Sequence, residues 1–465
     1  MAESSSRVWY DYLPHPVVML CGILAFVALL TYVLPAGEFV RELIDGRQRV
    51  VPGSYGLVGE HPVSLLELFR ALPEGFAKAT PVIYVILASG IMFGIIETTG
   101  AIENGVGSLV ARVGDGSRTG IIIGITFLYG LLGVVVGYEN NIAMVPIAAV
   151  LALALGGDLL LAAGLSVGAI TVGFGVSPFN PYTVGIGHQI AELPIYSGWA
   201  VRAVLCTLAL GLLAWWNVRY YRRVKQDAAQ SLAAGLDVTG FTLSKPLTDY
   251  RLSTRDTAVL LVFLAGLGVM LYGVFTHHWF LNEISAVFLM TAIVAGIVGR
   301  IGADDMAETA LRSVALVAPG AFLVGLANAV RVVMETGRIG DTITYNLAQM
   351  LEGLPAVVAA VGMAGTQSVT NFLIPSGSGQ ALATLPVMIP LGDLLGLTRQ
   401  VTVLAFQIGD GITNLVNPTL GGMVAMLAVC RVPFDRWLRF ILPLVVLLFV
   451  VSICALILSV MLGYA

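Results

Sequence analysis

Apolar residues in this chain come in long runs cut by short polar stretches, and the runs recur near 16–35, 80–97, 118–136, 159–175, 198–221, 256–275, 279–299, 316–334, 354–370, 400–415 and 436–462. A helix needs about 20 such residues to cross the hydrocarbon of a bilayer, so the pattern predicts about eleven crossings. Two further stretches, 137–156 and 371–391, are apolar but interrupted by the polar tips GYENN and IPSGSGQ. They are too broken for ordinary spans and are predicted as re-entrant hairpins, which enter and leave on one side. Amphipathic stretches at 62–78, 101–113, 303–313 and 339–352 predict interfacial helices or connecting arms. The expected fold is an all-α polytopic membrane protein.

Part of this pattern occurs twice. GFGVSPFNPYTVGIG, from Gly173, and DGITNLVNPTLGG, from Asp410, share an Asn-Pro step, and the shift, 417 minus 180, is 237 positions. Upstream, ETTGAIEN and ETGRIGD share a Thr-Gly, and 336 minus 99 is again 237. This predicts a duplicated unit. Each copy sets Gly, Pro, Asn and Ser or Thr inside an apolar run, where a bilayer tolerates irregular backbone only if it is buried in protein or lines a cavity. Broken helices of that kind hold the substrate of many transporters near the membrane midplane.

Composition agrees. Of 465 residues, 57% are apolar and 11% charged, and the mean hydropathy is +0.91, so most of the chain belongs in lipid. The net charge of −4 sits in loops and gives nucleic acid no footprint. Cys21, Cys206, Cys430 and Cys454 fall in apolar segments without metal spacing and read as small hydrophobes. The run from Pro16 to Leu34 is long and weakly charged in its leader, which predicts a retained first span rather than a cleaved signal. Residues 219–255 carry seven basic side chains against three acidic, which places this linker in the cytoplasm. The expected division is 1–80, an N-terminal span and interfacial segment; 81–222, a first repeat with hairpin 137–156 and broken helix 159–190; 223–255, the linker; 256–317, scaffold spans; and 318–465, a second repeat with hairpin 371–391 and broken helix 400–429.

The polar residues inside these elements are the candidate chemistry. In the first hairpin, Glu139 suits a cation, an amine or a proton. Asn140 and Asn141 offer donors and an acceptor without charge, fit for a carboxylate or Na⁺. In the second, Ser376, Ser378 and Gln380 stand among glycines ahead of a helix start, an arrangement that receives an anion or carboxylate. At the first break Ser177 and Asn180 supplement carbonyls freed by Pro178 and Pro181; at the second, Asp410, Thr413, Asn414, Asn417 and Thr419 surround Pro418. Substrate binding is expected from Glu139, Asn140, Asn141, Ser177, Asn180, Ser376, Ser378, Gln380, Asn414, Asn417 and Thr419. A coupling ion, with Na⁺ as the candidate, is expected at Asn141, Asn180, Ser378, Asp410 and Asn417, and no other cofactor is expected. His188 is read as interfacial, His277 and His278 beside Trp279 as a membrane-interface belt, Arg331 as a snorkelling side chain, and the Gly90–Gly94 and Gly164–Gly168 pairs as close helix packing.

The run SGSGQALATLPVMIPLGDLLGLTRQVTVLAFQIGDG from Ser376, the Pro418-Thr419 step and VCRVPFDRW from Val429 resemble the YfcC family of amino-acid carriers, related to the DcuC C4-dicarboxylate carriers and more distantly to the ion transporter superfamily. In the first half the resemblance rests on Thr99 to Gly105, Gly173 to Pro181 and LPIYSG at Leu193 to Gly198. It implies an inverted-repeat fold with two hairpins, elevator motion, a dimerising scaffold, coupling to Na⁺ or H⁺ and a place in the bacterial cytoplasmic membrane. One feature departs: where a family relative has paired glutamates at the first hairpin tip, this chain has Asn140 and Asn141, which removes counter-charges that a basic amino acid would use.

The leading expectation is a secondary active transporter of a small carboxylate-bearing metabolite, an amino acid or a short mono- or dicarboxylate. A basic amino-acid exchanger and an uncoupled channel or facilitator are the alternatives. The chain carries no H-E-x-x-H, no G-x-S-x-G and no clustered histidines, so no enzymatic activity is expected.

Overall fold

A computed structural model of the chain describes residues 16–44, 47–51, 53–112, 117–136, 138–242, 249–277, 279 and 281–465. The first helix, α1 (Pro16–Leu30), leads into a strap of four short strands, β1 (Gly37–Glu38), β2 (Arg41–Ile44), β3 (Arg47–Val50) and β4 (Gly56–Leu57), paired antiparallel as β1 with β4 and β2 with β3. The described chain is mostly helical, as expected, and the polar loop after α1 closes its backbone hydrogen bonds as two short hairpins.

Next come α2 (Leu65–Thr98), α3 (Ala101–Arg112) and α4 (Arg118–Val136). A 3₁₀ turn (Glu139–Met144) then leads into α5 (Val145–Ala154). A broken helix follows, formed by α6 (Leu159–Ala163), a π turn (Gly164–Gly168) and α7 (Ala169–Gly175). A second π segment (Pro181–Gly185) opens α8 (Ile186–Ile190), and α9 (Trp199–Gln226) reaches the linker. Beyond the linker lie α10 (Thr254–His277), α11 (Leu281–Val298), α12 (Ala303–Thr336), α13 (Gly340–Gln349), α14 (Ala356–Leu373), α15 (Gly377–Leu394), α16 (Arg399–Thr413), α17 (Gly421–Val429) and α18 (Phe434–Met461). Among the described residues, seven helices are long and apolar enough to cross a membrane: α2, α9, α10, α11, α12, α14 and α18.

Two expected boundaries move. The stretches 62–78 and 303–313 are not separate interfacial helices but the opening turns of α2 and α12, each one continuous helix of 34 residues. A capping box at Ser64 and Glu67 starts α2, and Pro73 and Pro81 lie inside it without ending it, as neighbouring elements allow in a membrane helix. The expected hairpins 137–156 and 371–391 each borrow an arm from the run before. α4 and α5 flank the first tip, and α14 and α15 flank the second at 374–376.

Element order from α2 to α9 parallels that from α12 to α18, and the long opening helices α2 and α12 lie against each other. Gly75 abuts the backbone of Gly325 and Ala329, Gly90 abuts Val317 and Ser313, and Gly94 abuts Ser313 and Thr309. Rising numbers on α2 meet falling numbers on α12, so the pair is antiparallel. The Gly90–Gly94 pair packs closely, as expected.

The molecule has two distinct ends. At one, the strap docks on the end of α12 and on α13: Gly37 N donates to Arg338 O at 3.1 Å, and Phe39 N donates to Asp341 Oδ2 at 2.9 Å. At the other, the linker docks on the turn after α17 and on α18. Arg431 binds Asp237 at 2.9 Å and Thr239 O at 2.6 Å, and Arg436 reaches Leu232 O at 2.8 Å. Bonds from Thr239, and beyond them Arg431, hold the Asp237 carboxyl below the usual carboxylate range.

Candidate functional site

The two broken helices cross at glycine. A Cβ at Gly175 would stand 2.7 Å from the Gly411 carbonyl carbon, and one at Gly411 would stand 2.2 Å from Gly175 Cα. Only glycine permits this approach, and it sets the unwound residues beyond α7 next to those beyond α16.

Each Asn-Pro asparagine then accepts from the backbone that follows it, Asn180 as a cap and Asn417 in a turn. Asn180 Oδ1 accepts from Tyr182 N at 2.8 Å and Thr183 N at 3.2 Å. Asn417 Oδ1 accepts from Thr419 N at 2.9 Å and from Thr419 Oγ1 at 2.6 Å. Both asparagines are fully buried.

The second hairpin is sewn to the second break through Asn371, near the end of α14. Its Nδ2 donates to Asp410 O at 2.7 Å and to Asn414 Oδ1 at 2.8 Å, and its carbonyl accepts from Asn417 Nδ2 at 2.8 Å. Phe372 O, 2.9 Å from Thr419 Oγ1, is the second acceptor within reach of that hydroxyl's one proton. Ser376 caps α15 by accepting from Gly379 N at 3.2 Å, and Ser378 beside it is half-buried. Gln380 faces the opposing arm instead, donating to Gln367 Oε1 at 2.7 Å.

At the centre lies Asp410, 1% exposed, with neither carboxylate oxygen hydrogen-bonded. The tip of the second hairpin covers it: a Cβ at Gly377 would lie 3.3 Å from Asp410 Oδ2 and 2.6 Å from Thr183 Cγ2. The hydroxyls of Thr183 and Thr413 and the Nδ2 of Asn180 are likewise buried without partners. Asp410 from one break and Thr183 from the other thus meet the same hairpin tip, with the unpartnered Thr413 and Asn180 each three residues away along the chain.

The first hairpin is held differently. Ser177 Oγ donates to Val134 O at 3.0 Å, and buried Asn141 donates to Leu132 O at 3.5 Å. The side chains of Glu139 and Asn140 lie outside the described residues. The expectation for His188 is corrected: it is fully buried, on a short helix whose neighbours Ile186 and Ile190 pack against α15 and α16. His277 stacks on Trp279 with ring centroids 6.1 Å apart, and His278 lies outside the described residues. Arg331 pairs with Glu335 at 2.8 Å on the wall of a cavity of about 490 Å³, lined also by Arg41, Arg338, Asp341 and, from the second hairpin, Ile374 and Gly379.

Sequence reasoning passed over Asn371, Thr183 and Gln367. Asn371 had a signal, an amide between apolar runs in SVTNFLIP, but reads as the edge of a tip rather than its anchor.

Over residues 13–461 the chain matches the family described as the C4-dicarboxylate anaerobic carrier, DcuC. It belongs to that family. This carrier is 32% identical to YfcC of Escherichia coli (strain K12), to which basic amino acid antiport is attributed, across 97% of both chains. A protein of Haemophilus influenzae is 27% identical over 85% of this chain and 78% of its own length. Among solved structures, the YdaH transporter of Alcanivorax borkumensis covers 97% of this chain and 99% of its own at 18% identity and a TM-score of 0.45. MtrF of Neisseria gonorrhoeae, from a class of antimetabolite efflux pumps, covers 97% of this chain and 96% of its own at 18% identity and a TM-score of 0.44. The chain is a multi-pass membrane transporter of the DcuC and YfcC kind, not an enzyme.

Proposed function

We propose that this carrier is a secondary active transporter of a small carboxylate-bearing metabolite, coupled to Na⁺ or H⁺ through Asp410. The observation that carries the proposal is the buried carboxylate of Asp410, whose oxygens have no hydrogen-bond partner, beneath the tip of the second hairpin. A bare carboxylate at this depth is costly, and a bound cation or proton removes the cost. The residues fit Na⁺: Asp410, Thr413 and Thr183 supply hard oxygens with unused capacity, the ligand type such an ion takes. They would hold the ion, whose charge would draw a substrate carboxylate toward Ser376, Ser378 and the start of α15.

The fold reading belongs to the same proposal. Parallel element order in the two halves and the antiparallel α2–α12 pair support an inverted repeat, with α2 and α12 in a scaffold that moves little and the hairpins and broken helices in an elevator-type transport body. A homodimer in the bacterial cytoplasmic membrane, with the basic linker inside, is the assembly we propose on the family resemblance.

A second reading, exchange of basic amino acids, is favoured by the same unpaired Asp410, which could accept an ammonium or guanidinium group in place of Na⁺. Thermal unfolding of the purified protein with amino acids and with mono- and dicarboxylates, each in sodium and in choline chloride, separates the two. Binding to the folded state raises stability with the logarithm of ligand concentration. Stabilisation by a carboxylate that requires Na⁺ or low pH supports the first reading; stabilisation by lysine or arginine without Na⁺ supports the second. In proteoliposomes, Asp410→Asn is expected to abolish gradient-driven uptake, and wild-type uptake by that variant overturns the coupling assignment.

A further inference from the structure

Arg202, the fourth residue of α9, is 0% exposed, and among the described residues no carboxylate pairs with it. Its donors go to neutral groups. Nε donates to Gln407 Oε1 at 3.1 Å, Nη1 to Gln400 Oε1 at 2.8 Å and to Tyr464 Oη at 2.7 Å, and weaker contacts reach the carbonyls of Ser197 and Gln400. A buried guanidinium is expensive to keep, and its charge constrains the groups packed against it.

The main effect falls on Gln407. An amide has an accepting and a donating end, and a guanidinium tolerates only the accepting one against it. Gln407 Nε2 is thereby aimed the other way, where it donates to Ser177 O at 2.6 Å. Ser177 stands two residues past the end of α7, in the first break, and its carbonyl is among those that unwinding sets free.

The second break has a matching bond. Leu415 stands two residues past the end of α16, and its carbonyl accepts from Trp437 Nε1 at 2.8 Å. Trp437 is the fourth residue of α18 and fully buried, as Arg202 is the fourth residue of α9. A single such bond is ordinary packing in a dense core. Two, made by unrelated side chains to carbonyls that each stand two residues past a helix end, point to a requirement of the breaks themselves.

We propose that Arg202, acting through Gln407, is a positioning residue for the coupling site, and that Trp437 performs the same task directly at the second break. Each pins a carbonyl two residues past its helix end. That withdraws the carbonyl from the ion and fixes the backbone that brings Thr183 to one side of the Gly377 tip and the helix end carrying Asp410 and Thr413 to the other. The inference rests on the reading of Asp410 as the coupling residue.

The test is thermal unfolding of the purified, full-length protein, titrated with NaCl against choline chloride and, in choline, with pH, to give the midpoint for the stabilising cation. Gln407→Glu keeps an acceptor for Arg202, now as a buried ion pair, but removes the donor to Ser177 O. Trp437→Phe keeps the aromatic packing but removes the donor to Leu415 O. Each variant is expected to unfold within a few degrees of wild type without cation, yet to need about tenfold more cation at the midpoint, the equivalent of one lost hydrogen bond. Wild-type midpoints in the folded variants overturn the proposal, leaving the bonds as packing. If Gln407→Glu does not fold, Trp437→Phe decides alone by the same criterion. Asp410→Asn, run in parallel, separates the two levels. If it keeps the wild-type midpoint, or if wild type responds to neither cation, the coupling reading falls and takes this inference with it. If Asp410→Asn abolishes the response while the two clamp variants match wild type, only this inference falls.

Discussion

Asn180 and Asn417 act locally before they bear on transport: Asn180 caps the segment that opens at Pro181, and Asn417 closes a turn on Thr419 N ahead of α17. Their surroundings differ. Asn417 also spends its Nδ2 on Asn371 O, whereas Asn180 Nδ2 has no partner. Replacing Asn417 with Ala therefore orphans more buried groups, at about 1–3 kcal/mol each. Asn417→Ala is expected to lower the unfolding temperature clearly more than Asn180→Ala, while both abolish uptake; equal unfolding temperatures, or uptake at wild-type rate, would count against these roles. The Asn-Pro steps are legible in the sequence because a cap is a local bond between residues two and three positions apart. Asn371 and Arg202 are not, because their meaning comes from partners 39 and 205 positions away. A sequence pattern shows a polar residue in an apolar run but not which carbonyl it will meet.

At the scale of elements, the α7–α16 crossing is a tight constraint, because backbone meets backbone and no side chain can move aside. Gly411→Ala is expected to destabilise by at least the about 1–3 kcal/mol typical of overpacking, and Gly120→Ala, where a Cβ meets nothing within 4 Å, to change stability little. Thermal unfolding of the pair in the same detergent checks this, and equal values would place the crossing elsewhere. The exposed ion pair of Lys78 with Glu335 is expected to contribute about 0–1 kcal/mol, as surface pairs do. Helix existence is legible here because hydropathy reports it directly. Boundaries are less so. Pro73, Glu74 and Lys78 read as an interruption near the start of α2, yet the helix runs through them, since apolar neighbours on α12 pack along its length. The hairpin tips are visible as polar breaks, but which flanking runs serve as arms depends on packing that composition does not encode.

For the whole molecule, the two ends differ in how far they open. At the strap end, a cavity of about 490 Å³ reaches the second hairpin. At the linker end, the space between Ser89, Glu97, Pro146 and Arg431 amounts to about 40 Å³. If the transport body alternates between ends as proposed, the structure is the state open toward the strap, and ligand binding should shift the population. The shift can be followed with single cysteines in a variant lacking Cys21, Cys206, Cys430 and Cys454. Ala383→Cys lines the larger cavity and Ser89→Cys the smaller. With a transported substrate and the coupling cation together, labelling of Ala383→Cys by a hydrophilic maleimide is expected to slow, and labelling of Ser89→Cys to quicken. Opposite changes at the two ends are the mark of one body moving between them. A slowing at Ala383→Cys with Ser89→Cys unchanged would mean instead that ligand closes the second hairpin in place, and would leave the carrier a gated pathway rather than an elevator.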